Sequence, residues 1–259
     1  MWTALPSLTN LEEKGAINMK FIVTENYEAM SRKAAAILAA KVVEKPDCVP
    51  GLATGSTPIG TYQNLINWYK TGNLDFSQVK SVNLDEYVGL APTHDQSYRY
   101  FMQTNLFDHI NINTANTNVP NGLAEDPEAA CAQYDEIIRS MGGVDIQVLG
   151  MGHNGHIAFN EPADHFPMGT HVVELQESTI NANARFFASA DEVPRKAMTM
   201  GIGSIMAAKQ ILVVVNGEAK ADIVKQAFTG PITPMVPASI LQLHPDVIVV
   251  GDKAAMNKL

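Results

Sequence analysis

The chain has 259 residues, of which 46% are hydrophobic and 17% charged, and its formal net charge is −9. That balance supports one sizeable core and argues against disorder. It also argues against general nucleic-acid binding, which needs clustered Lys and Arg, although a few placed cations and backbone N–H groups suffice for one phosphate.

Residues 1–18 carry no helix or strand period and no signal-peptide pattern, so they are read as an extension outside the fold. Residues 19–259 are read as a single α/β domain. No stretch approaches the roughly 18 apolar residues of a membrane span. Cys48 and Cys131 form neither a disulfide framework nor a zinc pattern, and they read as reduced thiols of a cytoplasmic protein.

Short apolar runs predict strands at Lys20–Thr24, Val49–Ala53, Val79–Leu84, Ile146–Leu149, His171–Leu175, Ile211–Val215 and Val247–Val250. Amphipathic patterns predict helices at Tyr27–Val43, Pro58–Lys70, Ser97–Phe107, Pro127–Met141 and Ala219–Phe228. Strands separated by helices imply a mostly parallel sheet with helices on both faces. Ligands of such sheets sit beyond the carboxyl ends of the strands, so the segments that follow strands matter most.

Three of those segments are unusual. In Leu52-Ala53-Thr54-Gly55-Ser56-Thr57-Pro58, Pro58 suits the first helical position and Ser56 or Thr57 the N-cap. The segment reads either as an anion-binding helix start or as an ordinary capped turn; it lacks the GK[ST] ending of a Walker A loop. In Asn83-Leu84-Asp85-Glu86-Tyr87, two acids follow an apolar run, either as a half-sheltered general base or as a solvated acidic turn. In Gly150–Pro162, His156 is the natural acid–base candidate and Glu161 a group to orient it, against the alternative of a structural histidine. His153 and His156 lack a third ligand at metal-site spacing. Arg185 and Lys220 each read as a surface charge when taken alone.

Together, ATGSTP at 53–58, NLDEYVGL at 83–90, GHIAFNEP at 155–162, NARFF at 183–187 and LQLHP at 241–245 resemble the glucosamine-6-phosphate deaminase family, in register across residues 20–252. The resemblance implies a Rossmann-like α/β fold, similar to 6-phosphogluconolactonases and ribose-5-phosphate isomerases. It implies conversion of glucosamine 6-phosphate to fructose 6-phosphate and ammonia. Gly55, Ser56, Thr57, Arg185 and Lys220 would hold the phosphate. Asp85 would move a proton from C2 to C1, His156 would assist ring opening, and Glu161 would be its partner. Asn154 stands where some members carry Asp, and as an amide it would orient His156 without adding charge. No motif for a metal, nicotinamide or pyridoxal is present, so no cofactor is expected.

Two other readings fit the fold. A 6-phosphogluconolactonase continues its glycine–histidine loop toward ASLFP, where this chain has AFNEP at 158–162. A sugar-phosphate sensor would not need Asp85, His156 and Glu161 together. Some family members are hexamers activated by N-acetylglucosamine 6-phosphate, through hydroxyl and basic residues just after NEP. Here that stretch runs from Ala163 to Val173, with Asp164 near its start and His171 and Val173 at the basic positions, and this departure from the regulated pattern predicts an unregulated monomer.

Overall fold

The computed structural model describes residues 18–177, 180, 181, 184, 187, 189 and 192–259. Arg185 lies outside the described residues, as do residues 1–17. The first strand, β1 (Asn18–Thr24), takes in residue 18.

A seven-stranded sheet runs in the order β1-β10-β9-β6-β2-β3-β5. Its other members are β2 (Pro50–Leu52), β3 (Ser81–Asn83), β5 (Thr117–Asn118), β6 (Ile146–Leu149), β9 (Ile211–Val215) and β10 (Asp246–Asp252). Every pairing in it is parallel. β9 is buried along its whole length, which accounts for its unbroken ILVVV run.

Several helices start where a side chain caps them. Asn26 accepts from Ala29 N–H to open α1 (Tyr27–Glu44), and Asp126 accepts from Ala129 N–H to open α4 (Pro127–Ser140). Between these lie α2 (Ile59–Lys70) and α3 (Tyr98–Asn105). α5 (Ile202–Met206), α6 (Ala221–Thr229) and α7 (Lys253–Met256) follow. α1 lies along α2, with Met30, Ala34, Ala35 and Leu38 buried.

A second sheet corrects the sequence reading. β4 (Asp85–Tyr87), β8 (Lys196–Thr199) and β7 (His171–Glu174) form an antiparallel sheet in the order β4-β8-β7. The run predicted at His171–Leu175 is therefore a strand, but not one of the parallel sheet. Its residues are only partly buried, as suits a small outer sheet. Leu84 joins the sheets: its N–H donates to Leu52 O at 3.3 Å, and its carbonyl accepts from Met200 N–H at 2.7 Å. No helix of the described residues is long and apolar enough to cross a membrane.

Candidate active site

From β2 the sheet continues to β3 on one side, and from β6 it continues to β9 on the other. The gap between β2 and β6 is thus a topological switch point, where the loops beyond the strand ends part to leave a crevice. The loops after β2, β6 and β9 meet there. Thr57 Oγ1 donates to Asn216 Oδ1 at 3.0 Å, joining the first loop to the third. Lys220 Nζ donates to Met151 O at 2.7 Å, joining the third to the second.

The loop after β2 departs from the predicted capping. Pro58 itself occupies the cap position of α2 and makes no side-chain cap bond. The Thr57 hydroxyl is committed to Asn216 instead. Of the N–H groups near the helix start, Pro58 has none and Gly60 N–H goes to Tyr27 Oη at 2.9 Å. Among the described residues no acceptor takes the N–H groups of Gly55, Ser56 and Thr57. Ile59 and Thr61 N–H also have no acceptor among the described residues, so the anion-binding capacity spans the loop and the helix start. Gly55, at φ +91°, lets this turn form without a Cβ in the left-handed region.

Asp85 is the first residue of β4 and is 6% exposed, far more buried than the half-sheltered carboxylate expected. The chain passes straight from β3 through Leu84 into a strand, so no solvated turn forms. Among the described residues no hydrogen bond reaches its carboxylate. Burial, and secondarily the neighbouring Glu86 charge, push its pKa up from 3.8 to about 8. Glu86 has a different task. Its Oε1 accepts from Tyr87 and Tyr98 N–H and its Oε2 from Arg99 N–H, each at 2.9 Å. It thereby fastens the start of α3 to β4. Burial raises the Glu86 pKa, and these three amides oppose the rise.

The loop after β6 brings Asn154, His156 and Glu161 together. Asn154 Nδ2 donates to Glu161 Oε2 at 2.5 Å, and Asn154 Oδ1 accepts from His156 N–H at 3.2 Å. Asn154 thus orients Glu161 and, through the His156 backbone N–H, the histidine itself; among the described residues no bond from it to the imidazole is found. His156 Nδ1 lies 3.3 Å from Glu161 Oε1, an ion-pair distance outside hydrogen-bond geometry. Gly152 leaves room for the imidazole where it stands: a Cβ on it would lie 2.3 Å from His156 Nε2, so the ring would have to move. Ala158, at φ +53°, adds backbone strain beside the histidine.

The Asp85 strand and the His156 loop share an anchor. Asp85 pairs with Thr199 across β4 and β8, and Thr199 Oγ1 accepts from Phe159 N–H at 3.0 Å. Asn160 Nδ2 donates to Met200 O at 2.8 Å, adding a second tie. Lys220 is part-buried, and burial lowers its pKa to about 8. Among the described residues no three His, Cys, Asp or Glu side chains cluster as metal ligands would. Sequence reasoning missed Tyr27, Thr199 and Asn216. Their positions lie far apart in the chain, and no local pattern marks them.

Loop N–H groups at one wall of the crevice, with a buried carboxylate and a histidine–carboxylate pair nearby, form the layout of an acid–base enzyme for a small anionic substrate. A family model described as glucosamine-6-phosphate isomerases/6-phosphogluconolactonase matches residues 24–249. The chain belongs to that family. It is 62% identical over 232 residues to a glucosamine-6-phosphate deaminase of Lachnoclostridium phytofermentans, covering 90% of this chain and 98% of the relative. It is 58% identical to the deaminase of Clostridium perfringens strain 13, covering 93% and 100%. A solved monomeric glucosamine-6-phosphate deaminase superposes with a TM-score of 0.91 at 47% identity, covering 93% of this chain and 100% of that one. The 6-phosphogluconolactonase of Thermotoga maritima, at 18% identity and a TM-score of 0.72 over 91% and 100%, shares the fold.

Proposed function

We propose that the chain is a glucosamine-6-phosphate deaminase. It opens the ring of glucosamine 6-phosphate, moves a proton from C2 to C1 and releases ammonia, leaving fructose 6-phosphate. The observation that carries this reading is Asp85, a buried carboxylate without a hydrogen-bond partner among the described residues, anchored to the histidine loop through Thr199. A lactone hydrolase needs no base at C2, whereas an aldose–ketose shift does.

In this reading His156 moves protons between the ring oxygen and the anomeric hydroxyl, with Glu161 as its partner and Asn154 holding Glu161. Asp85 removes the C2 proton to give an enolamine and returns it to C1. Water adds to C2 of the resulting ketimine, and ammonia leaves. Gly55, Ser56, Thr57, Lys220 and Arg185 hold the phosphate, the last on the strength of the NARFF pattern alone.

The test is ammonia release from glucosamine 6-phosphate, with mass by light scattering. We expect turnover, a hyperbolic rate curve unchanged by N-acetylglucosamine 6-phosphate, and a monomer in the cytoplasm. Asp164, exposed just after the NEP motif, would repel a phosphate effector there. Absence of ammonia release would overturn the activity; a sigmoidal curve or a stable hexamer would overturn the monomer.

Asn154→Asp should remain active with an altered pH profile. It would replace the donor to Glu161 with a second carboxylate at hydrogen-bond range, and two such groups resist ionising together. Added negative charge also favours a cationic imidazole. The rate limb that reports on ring opening should therefore move to higher pH. A profile superimposable on that of the unaltered protein would uncouple Asn154 from the histidine pair.

A further inference from the structure

We propose that Tyr27 is a positioning residue for substrate phosphate, acting by setting the peptide orientation of the loop after β2. The inference rests on the reading that this loop holds the phosphate. Tyr27 is the first residue of α1, far in sequence from the loop and outside every motif noted above.

Its hydroxyl touches three backbone groups of one short segment. It accepts from Gly60 N–H at 2.9 Å, and it stands 3.1 Å from Ser56 O and 3.2 Å from Thr57 O, sharing its one proton between them. The close approach of α1 to α2 makes this possible: a Cβ on Gly60 would stand 2.4 Å from Ser31 Oγ and 3.0 Å from Tyr27 Cε1.

The consequence follows from the planar trans peptide, in which C=O and the next N–H point in opposite directions. Fixing the Ser56 carbonyl on the Tyr27 hydroxyl turns the Thr57 N–H away from it. The Thr57 carbonyl is fixed likewise, and the residue after it, Pro58, has no N–H to turn. The two carbonyl oxygens that would repel an anion are thus gathered on the tyrosine. The N–H groups of Gly55, Ser56 and Thr57 meanwhile have no acceptor among the described residues. Gly60 N–H, an amide the helix cannot satisfy, is taken up by the same oxygen.

The start of α1 does not itself need this hydroxyl, because Asn26 already caps that helix. A phenylalanine would fill the same space. What it would lack is the hold on the loop.

The experiment compares Tyr27→Phe with Lys220→Ala, reading KM and kcat for glucosamine 6-phosphate, inhibition by inorganic phosphate, and thermal melting. For Tyr27→Phe we expect KM and the phosphate inhibition constant to rise together, about five- to fifteenfold for one lost hydrogen-bond contact. kcat should stay within about twofold, since the reacting carbons are held by other elements. A merely structural hydroxyl would lower the melting temperature without this split. Tyr27→Met, which also lacks the hydroxyl, carries the same expectation and serves if the phenylalanine variant does not fold. Unchanged KM and phosphate inhibition in a folded Tyr27 variant, with both raised in Lys220→Ala, would overturn the inference alone. If Lys220→Ala also leaves both unchanged, the phosphate reading of these loops fails and the inference falls with it.

Discussion

Asp85→Asn should lower turnover about 10²–10⁴-fold, the usual loss when a general base is removed. The amide keeps the shape of the side chain but cannot take the C2 proton. Substrate KM should change little, because the groups proposed to hold the phosphate lie on other loops. Exchange of the C2 hydrogen with solvent deuterium should disappear in parallel. Near-normal turnover, or exchange that persists while ammonia release stops, would remove Asp85 from the role of base.

The same residue links activity to pH and stability. As the proposed base, Asp85 would be competent only when ionised, and its pKa is pushed up to about 8, so the acid limb of the rate profile should fall as pH drops through that region. For stability the sign is opposite. A carboxyl whose folded pKa is raised above its ordinary 3.8 stabilises the fold fully below that value, and the contribution is lost as pH rises through about 8. Asp85→Asn removes the charge that must be buried at high pH. The variant should therefore melt above the unaltered protein at pH 9, with the gap narrowing as pH falls below about 8 and closing only near the ordinary carboxyl value of 3.8. Each kcal/mol of difference corresponds to about 2–4 °C for a chain of this size. Differential scanning calorimetry across that range reads it directly.

The parts of the fold legible in the sequence are those where burial on both sides leaves a long apolar run. Ile146–Leu149 and Ile211–Val215 are strands with the bounds expected, because they lie inside the sheet and their residues face only protein. β5 and β8 were not legible. The first has two residues, and the second, KAMT, opens on an exposed lysine and has no long apolar run. β4 was hidden by its own chemistry, since a DEY sequence reads as a polar turn until its neighbours bury it. In the site, Asp85, His156 and Glu161 stood out because acids and histidines after apolar strands are uncommon. What positions them did not. Thr199 and Asn216 are ordinary polar residues whose meaning comes from partners 40 and 159 positions away. Such contacts depend on the tertiary fold, and no periodicity in a single sequence carries them.

Lys220→Ala should raise KM by about 10- to 150-fold, the equivalent of roughly 1.5–3 kcal/mol for one charge-assisted phosphate contact. Lys220 is suited to such a contact because burial has already stripped much of its water. Its ammonium donates only to Met151 O among the described residues, at 2.7 Å, and has further protons to offer an anion. The price of that burial is a pKa lowered to about 8, so the free protein holds the charge below pH 8 and loses it above. Affinity for the anion should accordingly fall as pH rises through that value. Sulfate, taken as a phosphate mimic, gives the cleaner readout, because it has no amine and stays a dianion across this whole interval. Its inhibition constant should climb between pH 7 and pH 9 in the unaltered protein and stay high and flat over that interval in Lys220→Ala. kcat should move far less than KM, since the phosphate lies remote from C1 and C2 and its binding is shared by ground and transition states. The loop carbonyl of Met151 would lose its donor in the variant. Lys220→Met, which keeps the length of the side chain without the charge, separates that local loosening from the lost attraction: both variants should show the same flat pH response. A persisting alkaline rise in either variant would mean that another group carries the charge that holds the phosphate.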